Sequence, residues 1–490
     1  MTRAYRLVRR FIRGLLELFF RRVEVTGLEH VPEDRGGLVV SWHPNGLIDP
    51  GLMLACFPRT IVFGARHGLF KWPLLGPLMR AIGTVPIYRA SDASSGDEAA
   101  RRQANRRSLD QLAGAIAAGS YSALFPEGLS HDVPHLTELK VGAARLYYRA
   151  HELSAGERPP PVILPVGLHY DDKAAFRSKA LVTYHPPLAL PPDLAECPED
   201  LPEEEARRRV GALTDAIRDA LHDVVHATES WELHRTMHRT RRLMRAERAA
   251  RAGTRLRAPD MQERQLGYER VWRGYYAQRE RDPAGTQALL ARVEEYDAAL
   301  SRLGLEDEEL DAPPALAAPL LPALLVLQVV LTYLLLPPLL IFGYVLCGLP
   351  YFAIKALARF GAPKTKDRAS IKVLAAIVLY PLTWAAAAWL AHAGALELHR
   401  YFPNFPASPA AAALATVALA AVGGLVALVY AELAQDTLRS LRVRFSRVWY
   451  SGAIAELRGE RSRLFDAIEA MSAGLELPGQ VDPDGRLVQQ

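Results

Sequence analysis

The feature that most constrains this chain is a series of long apolar runs in its C-terminal third. Residues 315–349 contain no charged side chain, and this run of about 35 residues exceeds the ~20 that one helix needs to cross a bilayer. Pro337–Pro338 lies near its middle, which favours two spans joined by a tight turn. Residues 373–393 and 410–431 are two further candidate spans. We predict a C-terminal α-helical membrane region of about four spans over residues 313–434; the alternative is buried helices in a large soluble core.

Basic residues accompany these spans in two clusters. The first comprises Lys355, Arg359, Lys364, Lys366, Arg368 and Lys372, and the second comprises Arg439, Arg442, Arg444 and Arg447. Loops that stay in the cytoplasm carry an excess of lysine and arginine. The pattern therefore predicts an integral membrane protein, in the cytoplasmic membrane if the cell is bacterial, with the N-terminal region on the cytoplasmic side. Residues 435–490 are predicted to form a cytoplasmic amphipathic helix and a polar tail.

Residues 1–22 have the pattern of an amphipathic helix. Apolar side chains recur at helical spacing at Tyr5, Leu7, Val8, Phe11, Ile12, Leu15, Leu16, Leu18 and Phe19, and Arg6, Arg9, Arg10 and Arg13 occupy the other face. A basic amphipathic helix with aromatic side chains favours a position in the membrane interface. The alternative is a helix that packs on the protein's own core.

The next region alternates between short apolar runs and helical stretches. Predicted strands cover residues 38–41, 60–63, 85–88, 122–125, 162–168 and 181–185, and predicted helices cover residues 50–56, 72–81, 99–119 and 141–151. This alternation predicts an α/β domain over residues 23–200. Residues 201–312 are rich in Glu, Arg, Ala and Leu, which predicts a helical subdomain with a solvated, charged face.

Composition narrows the choice of partners. The formal net charge is +5 and half of the residues are hydrophobic, which favours attraction to anionic membrane lipids over binding to nucleic acid. Cys56, Cys197 and Cys347 lie far apart and match no metal or disulfide spacing. We expect no nucleic-acid partner, no bound metal and no cofactor.

His43 is the first candidate for chemistry. It follows the apolar residues 38–40, so it lies where a strand is predicted to end. Residues 44–46 (Pro-Asn-Gly) predict a turn that returns Asp49 to the imidazole. A histidine held by a carboxylate can remove a hydroxyl proton, as in a serine-hydrolase triad. Because no G-x-S-x-G motif occurs nearby, the hydroxyl could belong to the substrate; local capping of the turn explains the two residues equally well.

Four motifs occur in a definite order along the chain. They are residues 43–49 (HPNGLID), 83–89 (GTVPIYR), 125–128 (FPEG) and 162–166 (VILPV). Their order and rough spacing resemble the glycerolipid acyltransferase superfamily, which includes glycerol-3-phosphate and lysophosphatidate acyltransferases. The resemblance covers residues 23–170 and implies an α/β acyltransferase domain. It also implies that His43 is the general base, assisted by Asp49, and that a glycerol hydroxyl attacks an acyl thioester without a covalent acyl-enzyme.

The chain departs from the common family pattern in two motifs. Five residues separate His43 from Asp49 where four are usual. This spacing resembles a branch with fungal glycerol-3-phosphate and dihydroxyacetone-phosphate acyltransferases and many bacterial relatives. After FPEG, residues 129–131 (LSH) replace the usual Thr-Arg-Ser, so a family arginine that could bind phosphate is missing.

Other residues are candidates for substrate binding. Arg89 matches the arginine of the second motif and is the first candidate for the phosphate, and Lys140, which opens a predicted helix, is the second. A surface ion pair is the alternative for both. Glu127 is expected to brace the site or to contact the glycerol hydroxyls, and Gly128 to permit the turn. Ser130, His131 and Asp132 are adjacent in sequence and cannot converge as a triad, so we expect a structural role for His131.

The resemblance implies a membrane-bound O-acyltransferase of phospholipid synthesis. The donor would be acyl-CoA or acyl-carrier protein, and the acceptor a phosphoglycerol lipid precursor, glycerol 3-phosphate or lysophosphatidate. One alternative keeps the mechanism but takes a lysophospholipid or another lipid as acceptor. A second alternative is a non-catalytic membrane scaffold or lipid-transport protein.

Overall fold

The computed structural model describes residues 2–88, 98–154, 158–196, 201–254, 258–311, 320–335, 340–361, 364–404 and 408–488. The chain divides into two compact units. Unit 1 comprises residues 1–234, 260–265 and 364–370, and unit 2 comprises residues 235–259, 266–363 and 371–490. Unit 1 therefore includes one short segment that is distant in sequence from the rest.

Unit 1 is built on a seven-stranded sheet. Its strands are β1 (Arg22–Thr26), β2 (Gly37–Val40), β3 (Ile61–Arg66), β4 (Val85–Ile87), β5 (Tyr121–Leu124), β6 (Val162–Tyr170) and β7 (Lys179–Tyr184). Its helices are α1 (Arg3–Phe19), α2 (Ile48–Cys56), α3 (Leu75–Ala81), α4 (Glu98–Ala117), α5 (Gly142–Ser154), α6 (Pro192–Ala195) and α7 (Glu203–Val225). The predicted α/β domain is confirmed, and every predicted strand and helix has a counterpart; β1 is an additional strand.

The strand order β1-β7-β6-β2-β5-β3-β4 places β2 at the centre of the sheet. Strand β2 runs parallel to β5 and to β6, and β7 is antiparallel to β6. Because the carboxyl ends of parallel strands meet at one edge of a sheet, the residues that follow β2 and β5 lie close together. Strand β6 pairs with β2 only over Val162–Pro165 and continues to Tyr170, so its last residues extend past the same edge.

Helix α1 packs one side on the sheet domain. The buried side chains on that side are Tyr5, Val8, Leu16 and Phe19. The Tyr5 hydroxyl accepts from the Ile61 N–H and donates to the Ile61 carbonyl. Packing on the protein's own core therefore accounts for one side of the helix. Leu7, Phe11 and Leu18 remain exposed, and the interfacial position of α1 stays a prediction that rests on this stripe.

Helix α7 also packs in unit 1, although its sequence suggested the helical subdomain. Leu213, Ile217 and Leu221 are buried in the same apolar core as residues of β2 and α5. The helix ends at Val225, and His226 follows with a positive φ of 51°. This left-handed residue lies between α7 and the next helix. The helical periodicity of the sequence shows no break at this position.

Unit 2 is largely helical. Its elements are α8 (Trp231–Arg251), α9 (Met261–Arg281), α10 (Pro283–Leu303), α11 (Leu320–Val330), a π-helical segment (Leu331–Leu335), α12 (Ile341–Gly361), α13 (Thr365–Tyr401), α14 (Pro409–Trp449) and α15 (Ser451–Met471), with a hairpin of β8 (Gln480–Val481) and β9 (Leu487–Val488). The first residues of α8, α9 and α13 belong to unit 1. The predicted helical subdomain is thus helical in the structure.

Part of the charge of this subdomain is buried. Arg461 is 1% exposed and pairs with Glu247 and Asp311 at 2.9 and 2.7 Å. Arg239 is also buried and pairs with Asp307 at 2.8 Å. Part of the charge that was predicted to lie on a solvated face is therefore inside the unit, where carboxylates from neighbouring segments neutralise the guanidinium groups.

Among the described residues, two helices are long and apolar enough to cross a membrane, α13 and α14. They contain the predicted spans 373–393 and 410–431. No residue of the most apolar window of α13 is buried, and only 6% of that window in α14 is. Helices in the core of a soluble protein would be mostly buried, so this exposure favours lipid as their surroundings.

The prediction of about four spans is wrong in number for the described residues. Helix α11 has only 11 residues, a rise of about 16 Å against a hydrocarbon core of about 30 Å. Helix α12 contains Pro350 and ends in a segment with Lys355 and Arg359. Pro337–Pro338, where a turn was predicted, lies outside the described residues.

Candidate active site

His43 and Asp49 form a hydrogen-bonded pair just beyond the end of β2. The His43 Nδ1 lies 2.8 Å from Asp49 Oδ2. The Asn45 backbone N–H donates to the same oxygen at 2.7 Å, because the turn over residues 44–46 folds the start of α2 back towards the imidazole. The His43 ring also stacks on Phe125, with ring centroids 4.0 Å apart. A carboxylate on Nδ1 fixes the tautomer in which Nε2 carries the lone pair.

The Nε2 atom is the group that this arrangement prepares for chemistry. The His43 side chain is 16% exposed, while Asp49 is fully buried. Within the part of the chain that the structure describes, Nε2 has no hydrogen-bond partner, and no serine or cysteine is bonded to the ring. Among the described residues Nε2 is therefore open to a group from outside the protein, and the role of His43 as general base stays a prediction.

Tyr170 completes the surroundings of Asp49. Its hydroxyl donates to Asp49 Oδ1, so the buried carboxylate receives donors on both oxygens. Burial and the nearby Asp49 charge raise the pKa of Tyr170 well above its usual value, which keeps the hydroxyl protonated and donating. Sequence reasoning missed Tyr170; the available signal was a tyrosine at the end of a strand whose neighbour carries the candidate base.

Glu127 braces the loops that carry His43. It is buried, and its Oε2 accepts from the His43 backbone N–H at 3.1 Å. Its Oε1 lies 2.6 Å from His131 Nε2 and accepts from the Thr137 N–H at 2.8 Å. These contacts engage both oxygens, so the geometry favours bracing over contact with glycerol hydroxyls.

Gly128 and His131 complete this bracing. Gly128 has a φ of +71°, a left-handed conformation that glycine adopts without steric cost, and it allows the chain to turn directly after Glu127. The His131 N–H donates to the His43 carbonyl at 3.1 Å, and its ring faces Glu127. Both contacts hold neighbouring loops together, and the structural role of His131 stays a prediction.

The structure describes one of the two cations predicted to bind phosphate, Lys140. The Lys140 side chain is 60% exposed, and its Nζ pairs with Glu138 at 3.1 Å. It precedes α5 by two residues rather than opening it. Arg89 lies outside the described residues. Among the described residues, no cluster of three or more His, Cys, Asp or Glu side chains could hold a metal.

Two family models match the chain in succession. An acyltransferase model matches residues 22–169, and the model of the glycerol-3-phosphate acyltransferase 2 C-terminal domain matches residues 237–476. The chain belongs to the glycerolipid acyltransferase superfamily. The first match covers the sheet with His43, Asp49 and Glu127. The second covers helices of unit 2, including the two candidate spans, so the family relationship extends beyond the four motifs.

Individual relatives are more distant. Glycerol-3-phosphate O-acyltransferase 2 of Saccharomyces cerevisiae is 33% identical over 92 residues, 19% of this chain and 12% of that protein. An uncharacterized acyltransferase of Schizosaccharomyces pombe is 23% identical over 265 residues, covering 37% of this chain and 38% of that protein. The chain thus spans well under half of either relative.

A solved structure also resembles part of the chain. It is the 1-acyl-sn-glycerophosphate (LPA) acyltransferase PlsC of Thermotoga maritima, with 21% sequence identity and a TM-score of 0.30. The match covers 44% of this chain and 79% of that one.

Proposed function

We propose that this protein is a membrane-bound O-acyltransferase that moves a fatty acyl group from a thioester donor to a hydroxyl of glycerol 3-phosphate or lysophosphatidate. The observation that carries the proposal is the His43–Asp49 pair at 2.8 Å, in a site that bonds His43 to no protein nucleophile among the described residues. The membership of both halves of the chain in glycerolipid acyltransferase families supports the choice of substrate class.

In the proposed mechanism His43 acts as general base. Its Nε2 takes the proton of the acceptor hydroxyl while that oxygen attacks the thioester carbonyl carbon. The tetrahedral intermediate then expels the thiolate, which takes the proton from His43 and leaves as the free thiol. Asp49 stabilises the imidazolium that forms between these steps. One ester bond forms and one thioester bond breaks, and the protein ends in its starting state.

We also propose that the acyltransferase domain lies on the cytoplasmic side. The basic segment Lys364–Ser370 belongs to unit 1 together with that domain, and it includes the first turns of α13. Two spans return the chain to its starting side, where Arg439, Arg442, Arg444 and Arg447 follow in α14. Both ends of the span pair are therefore basic, as the positive-inside bias requires for cytoplasmic ends.

Cysteine labelling measures this sidedness. In a variant with Cys56, Cys197 and Cys347 replaced by serine, a single cysteine at Ser408 should react with a membrane-impermeant maleimide in intact cells. A single cysteine at Lys364 should react only after the cells are opened. The reverse pattern would contradict the proposed orientation.

An acceptor screen tests the function itself. Full-length protein in detergent micelles, given radiolabelled acyl-CoA or acyl-carrier protein, should release thiol and form a labelled ester with glycerol 3-phosphate or lysophosphatidate. Positional analysis of the product identifies the acylated hydroxyl. A protein that transfers label only to lysophospholipids or to non-phosphorylated lipids would refute the proposed acceptor. If the protein transfers label to none of the acceptors, the result would favour the alternative of a non-catalytic membrane scaffold or lipid-transport protein.

A further inference from the structure

The motif arginine that is missing at position 130 leaves a gap in the proposed site. An acceptor with a phosphate monoester needs fixed positive charge beside the reacting hydroxyl. In this chain Ser130 stands at that position, and the exposed Lys140 side chain pairs with Glu138 instead. Besides Arg89, which lies outside the described residues, a cation from another part of unit 1 can compensate for this arginine.

A lysine from a distant part of the sequence contacts the backbone at Ser130. The Lys366 ammonium group donates to the carbonyl of Ser130, 236 positions away in the chain. The next residue, His131, donates its N–H to the His43 carbonyl. The cation thus lies against the loop that contacts the backbone of the candidate base.

A second lysine contacts the same loop. The Lys173 Nζ donates to the carbonyl of Pro44, directly after His43, at 3.0 Å. It also pairs with Asp132 Oδ1 at 2.8 Å. Burial works to raise the pKa of Asp132, but hydrogen bonds and charge from Lys173 and Lys366 hold it below its usual value. Both lysines therefore act on the Asp132 carboxylate.

Contacts with the residues after His43 hold the segment that carries Lys366 in place. The Leu47 N–H, at the start of α2, donates to Ser370 Oγ at 3.0 Å. Gly46 leaves room for this approach, since a Cβ there would lie 2.8 Å from Ser370 Oγ and 3.2 Å from the Lys366 carbonyl oxygen. The segment thus packs against the turn between His43 and Asp49. It also carries Asp367, whose carboxylate lies on the Gly46 side.

We infer that Lys366, with Lys173, forms the subsite for the acceptor's phosphate and takes over the role of the missing motif arginine. Each ammonium group has three donors. One donor of Lys366 is used by Ser130, and Lys173 uses two on Pro44 and Asp132, so both keep capacity for phosphate oxygens. The inference rests on the proposed function, and it assigns phosphate recognition to the segment that begins the first candidate span.

The test compares charge variants of the full-length protein in micelles. Lys366→Met should raise KM for glycerol 3-phosphate about tenfold to a hundredfold, the range for loss of a charged hydrogen bond, with kcat changed less than about threefold. Lys366→Arg should restore KM. Lys364→Met, an exposed lysine in the same turn, is the matched control and should leave both constants unchanged. A fall in kcat at constant KM, or an arginine variant as poor as methionine, would refute the subsite.

A variant that should lower KM distinguishes an effect on the subsite from simple misfolding. Asp132→Asn removes the carboxylate that neutralises the two lysines, so KM for glycerol 3-phosphate should fall severalfold, which an unfolded protein cannot mimic. An increase in KM, or a KM effect of Lys140→Met with none of Lys366→Met, would assign the phosphate elsewhere.

Direct binding separates this inference from the proposed function. Calorimetric titration with glycerol 3-phosphate should show binding that Lys366→Met weakens, and titration with glycerol should show no dependence on Lys366. If the wild type transfers no acyl group but its binding of glycerol 3-phosphate depends on Lys366, the subsite is supported and the proposed reaction is refuted. If the wild type is active and binding is indifferent to Lys366, the subsite falls and the reaction stands.

Discussion

Replacement of His43 by alanine is expected to lower kcat for acyl transfer by a factor on the order of 10² to 10⁴, the usual contribution of general-base catalysis. The side chain is partly exposed at 16%, and its backbone contacts to Glu127 and His131 do not need the imidazole. Asp49 loses the imidazole but keeps its donors from Asn45 and Tyr170, so the protein should stay folded with a lower melting temperature. Thiol release with a saturating donor measures the rate, and thermal unfolding measures the stability.

Two further variants should lower kcat for acyl transfer by different amounts. Asp49→Asn retains the shape of the side chain but removes the charge that stabilises imidazolium, so its loss should approach that of His43→Ala. Tyr170→Phe removes one of the donors to Asp49 and should cost less. His135→Ala, an exposed histidine of the same domain, is the matched control. Activity of His43→Ala close to that of the control would exclude His43 as the base.

Glu127→Gln is expected to reduce both stability and activity. The amide nitrogen of glutamine cannot accept a hydrogen bond. The N–H of His43, or the donors from His131 and Thr137, would then lose their partner inside the protein. One unsatisfied buried donor costs about 1–3 kcal/mol, so the free energy of unfolding should fall by that amount. The rate should fall as well, because the same contact holds His43 in place.

The matched control for this variant is Glu138→Gln, whose side chain is 83% exposed and lies in the same loop. Chemical denaturation of both variants, with acyl-transfer assays on each, gives the comparison. A Glu127→Gln protein as stable as the control would contradict the bracing role. Lower activity without lower stability would instead point to contact with substrate.

The sequence was most informative where structure depends on neighbours along the chain. The strands over residues 37–40, 121–124 and 162–170 are largely buried and run parallel to one another. Their sequences are therefore short apolar runs between helices. Strand β1 was missed because its sequence, RVEVT, alternates with charge, and its partner β7 lies more than 150 positions away. The break after α7 depends on the single left-handed residue His226, which no periodicity shows.

The described residues contain two candidate membrane spans, whereas about four were predicted. Hydropathy identifies an apolar run but does not fix where a helix begins or ends. The two runs that became α13 and α14 lie in helices of 37 and 41 residues. In the first run, the 11 described residues of α11 are too few to cross a membrane. Buried charges such as Arg461 were missed for a related reason, since burial depends on partners that sequence order does not reveal.

The sequence by itself determined the candidate base and its carboxylate. His43 and Asp49 are six positions apart, and the intervening turn brings them together by local geometry alone. The order of the four motifs likewise determined the family. Only the tertiary structure decided what surrounds this pair. Tyr170 reaches Asp49 because β6 is parallel to β2. Lys366 contacts Ser130 and Ser370 contacts Leu47, which lie 236 and 323 positions away in the sequence. Contacts of that range depend on sheet register and packing, which no local pattern encodes.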